Sequence, residues 1–237
     1  MCALVWETGK SVPKRDNSET HSQCNQYGFD VVSICMKTAF LSLALSFTLT
    51  RLVLAQDAVP LERARDIAQK VNASLGWIDD APFAVDADTS KPQAIHADKV
   101  GLLIIPDKGL NSEALANPGK DILPIGQLWL LHAVVADGER AAAKEKLRNI
   151  LVEDNEREQN VQLYLLGLRK NARDSFELVV YGKGKEPIVA TSMVSATNTQ
   201  EFPLQVTGRK GSDASGVLTI HILGQYSADL RLVRGEE

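Results

Sequence analysis

From Gln56 to the end the chain carries three histidines, His96, His132 and His221. A zinc site or a His-based catalytic site gathers such side chains with one another or with a carboxylate, and HExxH or HxH spacing announces it. Here tens of residues separate the three, and no metal motif is legible. His221 lies in Thr219-Ile220-His221-Ile222-Leu223, on the face opposite Leu218, Ile220 and Ile222. Strand alternation puts it on the solvent side. His132 follows Trp129-Leu130-Leu131 and reads equally well as a half-buried core histidine.

A nucleophilic serine on a strand-to-helix elbow needs Gly-x-Ser-x-Gly, which is absent. The nearest cluster, Gly211-Ser212-Asp213-Ala214-Ser215-Gly216, is followed by another strand pattern and reads as a turn. Gly182-Lys183-Gly184-Lys185 resembles half of a phosphate loop. It lacks the four-residue gap before Gly-Lys-Ser/Thr, and no anion-binding helix pattern follows it. A hairpin turn with a soluble lysine tip is expected there.

Asp79, Asp80, Asp86 and Asp88 form the densest acidic stretch. Calcium loops repeat acids as Asp-x-Asp-x-Asp-Gly; this stretch offers Asp86-x-Asp88 without the glycine or the later acids. It reads as a solvated loop, and so does the cluster of Asp154, Glu156, Arg157 and Glu158. Paired carboxylates for glycoside hydrolysis are a matter of distance in space, which spacing along the chain does not reveal. Only Trp77 and Trp129 follow Gln56, and Trp129 sits in an apolar strand pattern suited to core packing, so the aromatic residues argue against a carbohydrate platform. Asn72-Ala73-Ser74 matches the N-glycosylation triplet near a helix end. No residue is assigned as catalytic, cofactor-binding or metal-ligating, and no cofactor is expected.

Any site would be carried by short strands. Val100–Ile105 is a continuous apolar run closed by Pro106-Asp107-Lys108-Gly109, the pattern of a strand buried on both faces. Ile122–Val135 reads as a second strand, closed by Asp137-Gly138. Leu147–Val152 and Val161–Leu168 flank a charged tip, and Phe176–Tyr181 and Pro187–Val194 flank the Gly-Lys turn, giving two hairpins. Phe202, Leu204 and Val206 alternate with polar residues, while Val217–Leu223 and Ala228–Val233 close the chain around Gly224-Gln225. Glu139–Arg148 is expected to be a short helix or a loop.

Ahead of these strands, Leu61, Ala64, Ile67, Ala68, Val71 and Leu75 recur at helical spacing between charged residues, predicting an amphipathic helix from Pro60 to Leu75 with Gly76 just beyond its end. Trp77–Lys91 reads as a loop. The fold class expected is mainly β: an antiparallel β-sandwich of about eight strands preceded by one amphipathic helix. The helix and acidic loop occupy residues 56–92 and the sandwich residues 93–237.

Residues 36–55 have a different character. Lys37 precedes an apolar run of about a dozen residues that ends in Val53-Leu54-Ala55, the order of parts in a secretory signal peptide. The run falls short of the roughly 20 residues a spanning helix needs, and Arg51 interrupts it. The sequence therefore predicts export to the periplasm or the extracellular space, and no integral membrane segment after cleavage. Residues 1–35 read as a disordered upstream extension, with translation expected from Met36 and a mature chain from Gln56.

All three cysteines, Cys2, Cys24 and Cys35, precede that start. The 237 residues carry 26 basic and 30 acidic side chains, a formal charge of −4. From Gln56 onward the balance is 21 to 26, and a chain of 182 residues buries roughly 70% of its extended surface without disulfides. The acidic balance argues against a global nucleic-acid footprint. Two function classes stand: a non-catalytic binding or structural module that meets a protein or glycan partner through loops at the sandwich ends, and an exported hydrolase with a carboxylate or His–carboxylate site. The failure of every catalytic template favours the module. Oligomeric state is not legible.

Overall fold

The computed structural model describes residues 57–235 other than 77, 98, 120, 155–156 and 212–214. The expected leader, residues 36–55, and the extension before it lie outside the described residues. Those described belong to one compact unit.

Two antiparallel sheets face each other, and a helix covers the outer face of the larger one. The elements run in this order: β1 (Asp57–Ala58), α1 (Leu61–Ala73), β2 (Gln93–Ala97), β3 (Val100–Pro106), α2 (Ser112–Ala116), β4 (Leu123–Leu131), β5 (Ala133–Asp137) and β6 (Arg140–Ala141). A 3-10 turn at Lys144–Lys146 leads to β7 (Arg148–Asp154), β8 (Arg157–Lys170), β9 (Phe176–Tyr181), β10 (Val189–Ser192) and β11 (Val194–Ser195). The last strands are β12 (Leu204–Lys210), β13 (Ser215–Ile222) and β14 (Tyr226–Arg234). The larger sheet has the order β1-β2-β3-β4-β8-β9-β10, with β7 also on β8; the smaller has β12-β13-β14-β5-β6, with β11 also on β14.

The fold class is the one expected, with more strands than the eight counted. Three of the additional strands, β1, β6 and β11, are two residues long. Another comes from dividing Ile122–Val135, which is two strands rather than one. His132 takes φ 57° between them, and the chain passes there from the larger sheet to the smaller. This residue is exposed at the corner and not half-buried. A second crossing occurs at Met193, between β10 and β11. Glu139–Arg148 holds β6 and the 3-10 turn in place of a longer helix.

Period-2 alternation divides the buried residues into two sets. Leu102, Ile104, Leu128, Leu130, Tyr164, Leu166, Leu178 and Val180 point from the larger sheet into the sandwich, where they meet Val135, Leu204, Val206, Leu218, Ile220, Ile222 and Leu230. Leu103, Ile105, Trp129, Leu163, Leu165 and Val179 point the other way, against Ala64, Ile67, Ala68 and Val71 of α1. That second layer is why the central strands read as unbroken apolar runs. Full burial of each such aliphatic side chain is worth about 1.5–3 kcal/mol, so neither face of the larger sheet could be left uncovered. The smaller sheet has one buried face only, and β13 alternates Leu218, Ile220 and Ile222 inward with Thr219 and His221 outward.

Three polar devices tie these layers together. Tyr164, fully buried on β8, accepts a hydrogen bond at its hydroxyl from the Val135 N–H of β5 at 3.1 Å, joining one sheet to the other. Burial pushes its phenol up to about 12, with the Val135 bond pulling slightly the other way. Gln93 of β2 reaches the edge strand β12, where its amide donates to Val206 C=O and accepts from Val206 N–H. This closes part of an open sheet edge. Trp129 Nε1 donates to Gln127 Oε1 at 3.0 Å beneath α1, which accounts for both buried polar groups.

Candidate functional site

The sequence candidates resolve first into structural roles. His96 lies in β2 opposite Asp57 of β1, His132 at the inter-sheet corner, and His221 on the outer face of β13, with Nε2 3.3 Å from Thr207 Oγ1. Three separate elements hold them, and among the described residues no group of three or more His, Cys, Asp or Glu could hold a metal ion.

The acidic stretch is used to fasten loops. Asp107 accepts from the Asp86 N–H at 2.7 Å and from the Gly109 N–H at 2.7 Å, while Lys108 Nζ reaches Asp86 Oδ1 at 2.8 Å. That ion pair raises the Lys108 ammonium above its ordinary range. Asp88 accepts from the Ser90 N–H and hydroxyl. Partial burial pushes its carboxyl up, but the Ser90 bonds and Lys91 outweigh this and hold it below the usual carboxylate value. Their lone pairs are thus directed at N–H, hydroxyl and ammonium groups.

Asp80 explains the Gly-Lys turn. Its Oδ1 accepts from Arg148 Nη2 at 2.6 Å and its Oδ2 from the Gly184 N–H at 3.2 Å. Arg148 also donates to Gly182 C=O, and Lys183 N–H donates to Lys146 C=O. The Arg148 hydrogen bond dominates and lowers the Asp80 carboxyl despite some desolvation. A carboxylate therefore occupies the amide that a phosphate loop would present to its anion. Gly182 is required by close approach, since a Cβ there would collide with Lys146 C=O and meet Ile188 Cδ1 at 2.9 Å. The turn expected from sequence is present and it is structural. Gly211 and Ser215 likewise close the β12–β13 turn, Gly211 N–H to Ser215 C=O at 3.0 Å, and β13 follows directly. Residues 212–214 and Trp77 lie outside the described residues. Asn72 and Ala73 end α1, and Ser74 caps it by donating to Lys70 C=O at 3.0 Å.

A concavity lies elsewhere among the described residues. A cleft of about 440 Å³ opens at one end of the sandwich, beside the Met193 crossing, and both sheets line it. Lys170, Asp174 and Phe176 come from the β8–β9 turn region, Met193 and Ser195 from the crossing, and Gln225 and Tyr226 from the β13–β14 turn. The β8–β9 turn is pinned by Asn171: its Oδ1 accepts from the Arg173 N–H at 2.9 Å and the Ser175 N–H at 3.1 Å. Asp174 takes φ 58°, a left-handed conformation that Asp tolerates better than most residues, and its carboxylate meets Lys170 Nζ at 2.8 Å. Phe176 and Tyr226 pack edge to face with ring centroids 5.2 Å apart, and Lys170 Nζ lies 5.9 Å from the Phe176 centroid. Gln225 Nε2 donates to Ser112 Oγ at 3.3 Å, tying this end to α2.

Chemically, the cleft offers two half-buried aromatic rings beside an ammonium, a carboxylate, an amide and serine hydroxyls. Such a set can hold a ligand that alternates apolar and hydrogen-bonding surface. Its single lining carboxylate, Asp174, is already ion-paired. Sequence reasoning missed the cleft because its lining comes from four separate segments, the fourth being Leu115 and Ala116 of α2. Asn171 before Asp174-Ser175 was the one local sign of a fixed turn. Comparison with protein-family models, with curated proteins and with solved structures found no match.

Proposed function

We propose that this chain is an exported, non-catalytic binding module that takes a glycan segment at the sandwich-end cleft. The observation that carries the reading is the cleft's lining: aromatic rings at Phe176 and Tyr226 flanked by Lys170, Asp174, Ser175, Ser195 and Gln225. A sugar ring presents C–H faces to aromatic side chains and hydroxyls to groups of this kind. Acid–base hydrolysis of a glycosidic bond calls for two carboxylates flanking the scissile bond, whereas the cleft lining supplies one. Export rests on the Lys37 basic start, the apolar run after it and Val53-Leu54-Ala55. Among the described residues no helix is long and apolar enough to cross a membrane.

Two measurements test the two halves of this reading. N-terminal sequencing of protein recovered from the envelope or medium of the producing cell is expected to begin at Gln56; protein found only in the cytosol with residues 36–55 intact refutes export. Affinity electrophoresis through gels containing soluble polysaccharides is expected to retard the protein with at least one polymer, and Phe176→Ala is expected to abolish that retardation. Equal retardation of the variant, or release of reducing ends from the polymer, refutes the module.

A further inference from the structure

β7 is bonded to β8 on one side, and no strand among the described residues pairs with its other side. The backbone bonds of neighbouring strands fix which groups that free side carries. Ile188 N–H bonds Val180 C=O and Met193 N–H bonds Phe176 C=O, so even-numbered residues of β9 point away from β8 and odd-numbered ones point toward it. Tyr181 and Val179 face Leu165 and Gly167, which gives odd-numbered residues of β8 the same direction. Gln162 and Leu163 pair with β4 and β7 at once, so β7 lies on the β9 side of β8. The unbroken β7–β8 register then bonds Leu163, Val161 and Gln159 to Arg148, Ile150 and Val152. The N–H and C=O groups of Asn149, Leu151 and Glu153 are left pointing outward.

Leu151 sits at the middle of this open edge and is 60% exposed, in a strand whose neighbour Val152 is buried under α1. Unpaired edges with an apolar centre are templates for another strand. We propose that a second copy of this chain adds its own β7 here, antiparallel, about a two-fold axis through Leu151. In that register Leu151 meets Leu151 of the second copy and Asn149 meets Glu153, so every outward-pointing backbone group in this stretch finds its complement. The charges agree with it. Lys183 N–H bonds Lys146 C=O, which places the Lys183–Lys185 turn off the start of β7. Glu153 and Glu158 face each other at the far end of the ladder, a repulsive pair. The two-fold axis brings the exposed lysines of each copy beside the exposed glutamates of the other.

Sedimentation velocity of the full chain is expected to show a species of twice the monomer mass. Leu151→Lys, an exposed substitution that sets two ammonium groups face to face, is expected to yield the monomer with an unchanged circular dichroism spectrum. In a background with Cys2, Cys24 and Cys35 replaced by serine, Leu151→Cys is expected to form a disulfide-linked dimer, since directly opposed residues lie about 5.5 Å apart at Cα. Asn149→Cys is expected not to, because the register holds the two copies of that residue at least ~13 Å apart. A monomeric wild type, a dimer that survives Leu151→Lys, or equal cross-linking of both cysteine variants overturns the proposal.

Discussion

Replacing Tyr164 by phenylalanine removes one atom from the centre of the sandwich and tests how its two sheets are joined. The Tyr164 hydroxyl is the acceptor for Val135 N–H at 3.1 Å, and the ring is fully buried. Phenylalanine fills nearly the same volume but leaves that N–H without its partner, which costs about 1–3 kcal/mol. The same hydroxyl has a pH signature. Below pH 10 the phenol is protonated in both folded and unfolded chains, and its contribution is constant. From its ordinary 10.0 to about 12 in the fold, only the unfolded chain releases the proton, so stability falls as pH rises. A shift of this size is worth about 3 kcal/mol once pH exceeds the folded value, of which about 1.4 kcal/mol has been lost at pH 11. Urea unfolding of wild type and Tyr164→Phe at about pH 8 and about pH 11 isolates this contribution, because the other titrating groups are common to both proteins. Wild type is expected to lead by about 1–3 kcal/mol at the lower pH, with the lead shrinking by about 1.4 kcal/mol at the higher. Equal stability at pH 8 refutes the inter-sheet bond, and a lead that does not change with pH refutes the burial that raises the phenol.

Asp80→Asn is expected to lower stability by about 1 kcal/mol, since the carboxylate binds Arg148 at a site about a third exposed and solvent screens the pair. The wild-type advantage is present above the ordinary carboxylate pKa and is lost as pH falls through the lowered folded value, so the two proteins should converge in acid urea titrations. Gly167→Ala is expected to cost about 1–3 kcal/mol by overpacking, because its Cβ would collide with Ile122 Cγ2 and meet Phe83 Cζ at 3.0 Å; a thermal midpoint equal to wild type would show that Ile122 and Phe83 do not crowd β8 at Gly167.

The sheets and the leading helix were legible because burial writes a period into sequence. Leu218, Ile220 and Ile222 alternate with polar residues since one face of β13 is buried. The unbroken run at Val100–Ile105 reflects burial under α1 as well as inside the sandwich. What escaped was non-periodic. The corner at His132 rests on a positive φ in a residue that carries no glycine signal. β2, Gln93–Ala97, is five residues with one large aliphatic side chain and is held by its register on β3. α2 did leave a sign, Asn111, whose side chain accepts from the Ala114 N–H at 2.9 Å as a helix cap does. The acidic stretch read as a solvated loop because acids that fasten turns and acids that face water share a composition and differ only in what their oxygens meet. The cleft was invisible for the opposite reason: residues from 115 to 226 meet there, and no local pattern links them.

The binding reading stands or falls on where a ligand touches. In a ¹⁵N-labelled sample titrated with oligosaccharides from the polymer that retards the protein, amide shifts are expected to cluster at Lys170–Phe176, Met193–Ser195 and Gln225–Tyr226. Shifts centred on the outer face of the smaller sheet, around Thr219 and His221, or no shifts at all, would contradict it.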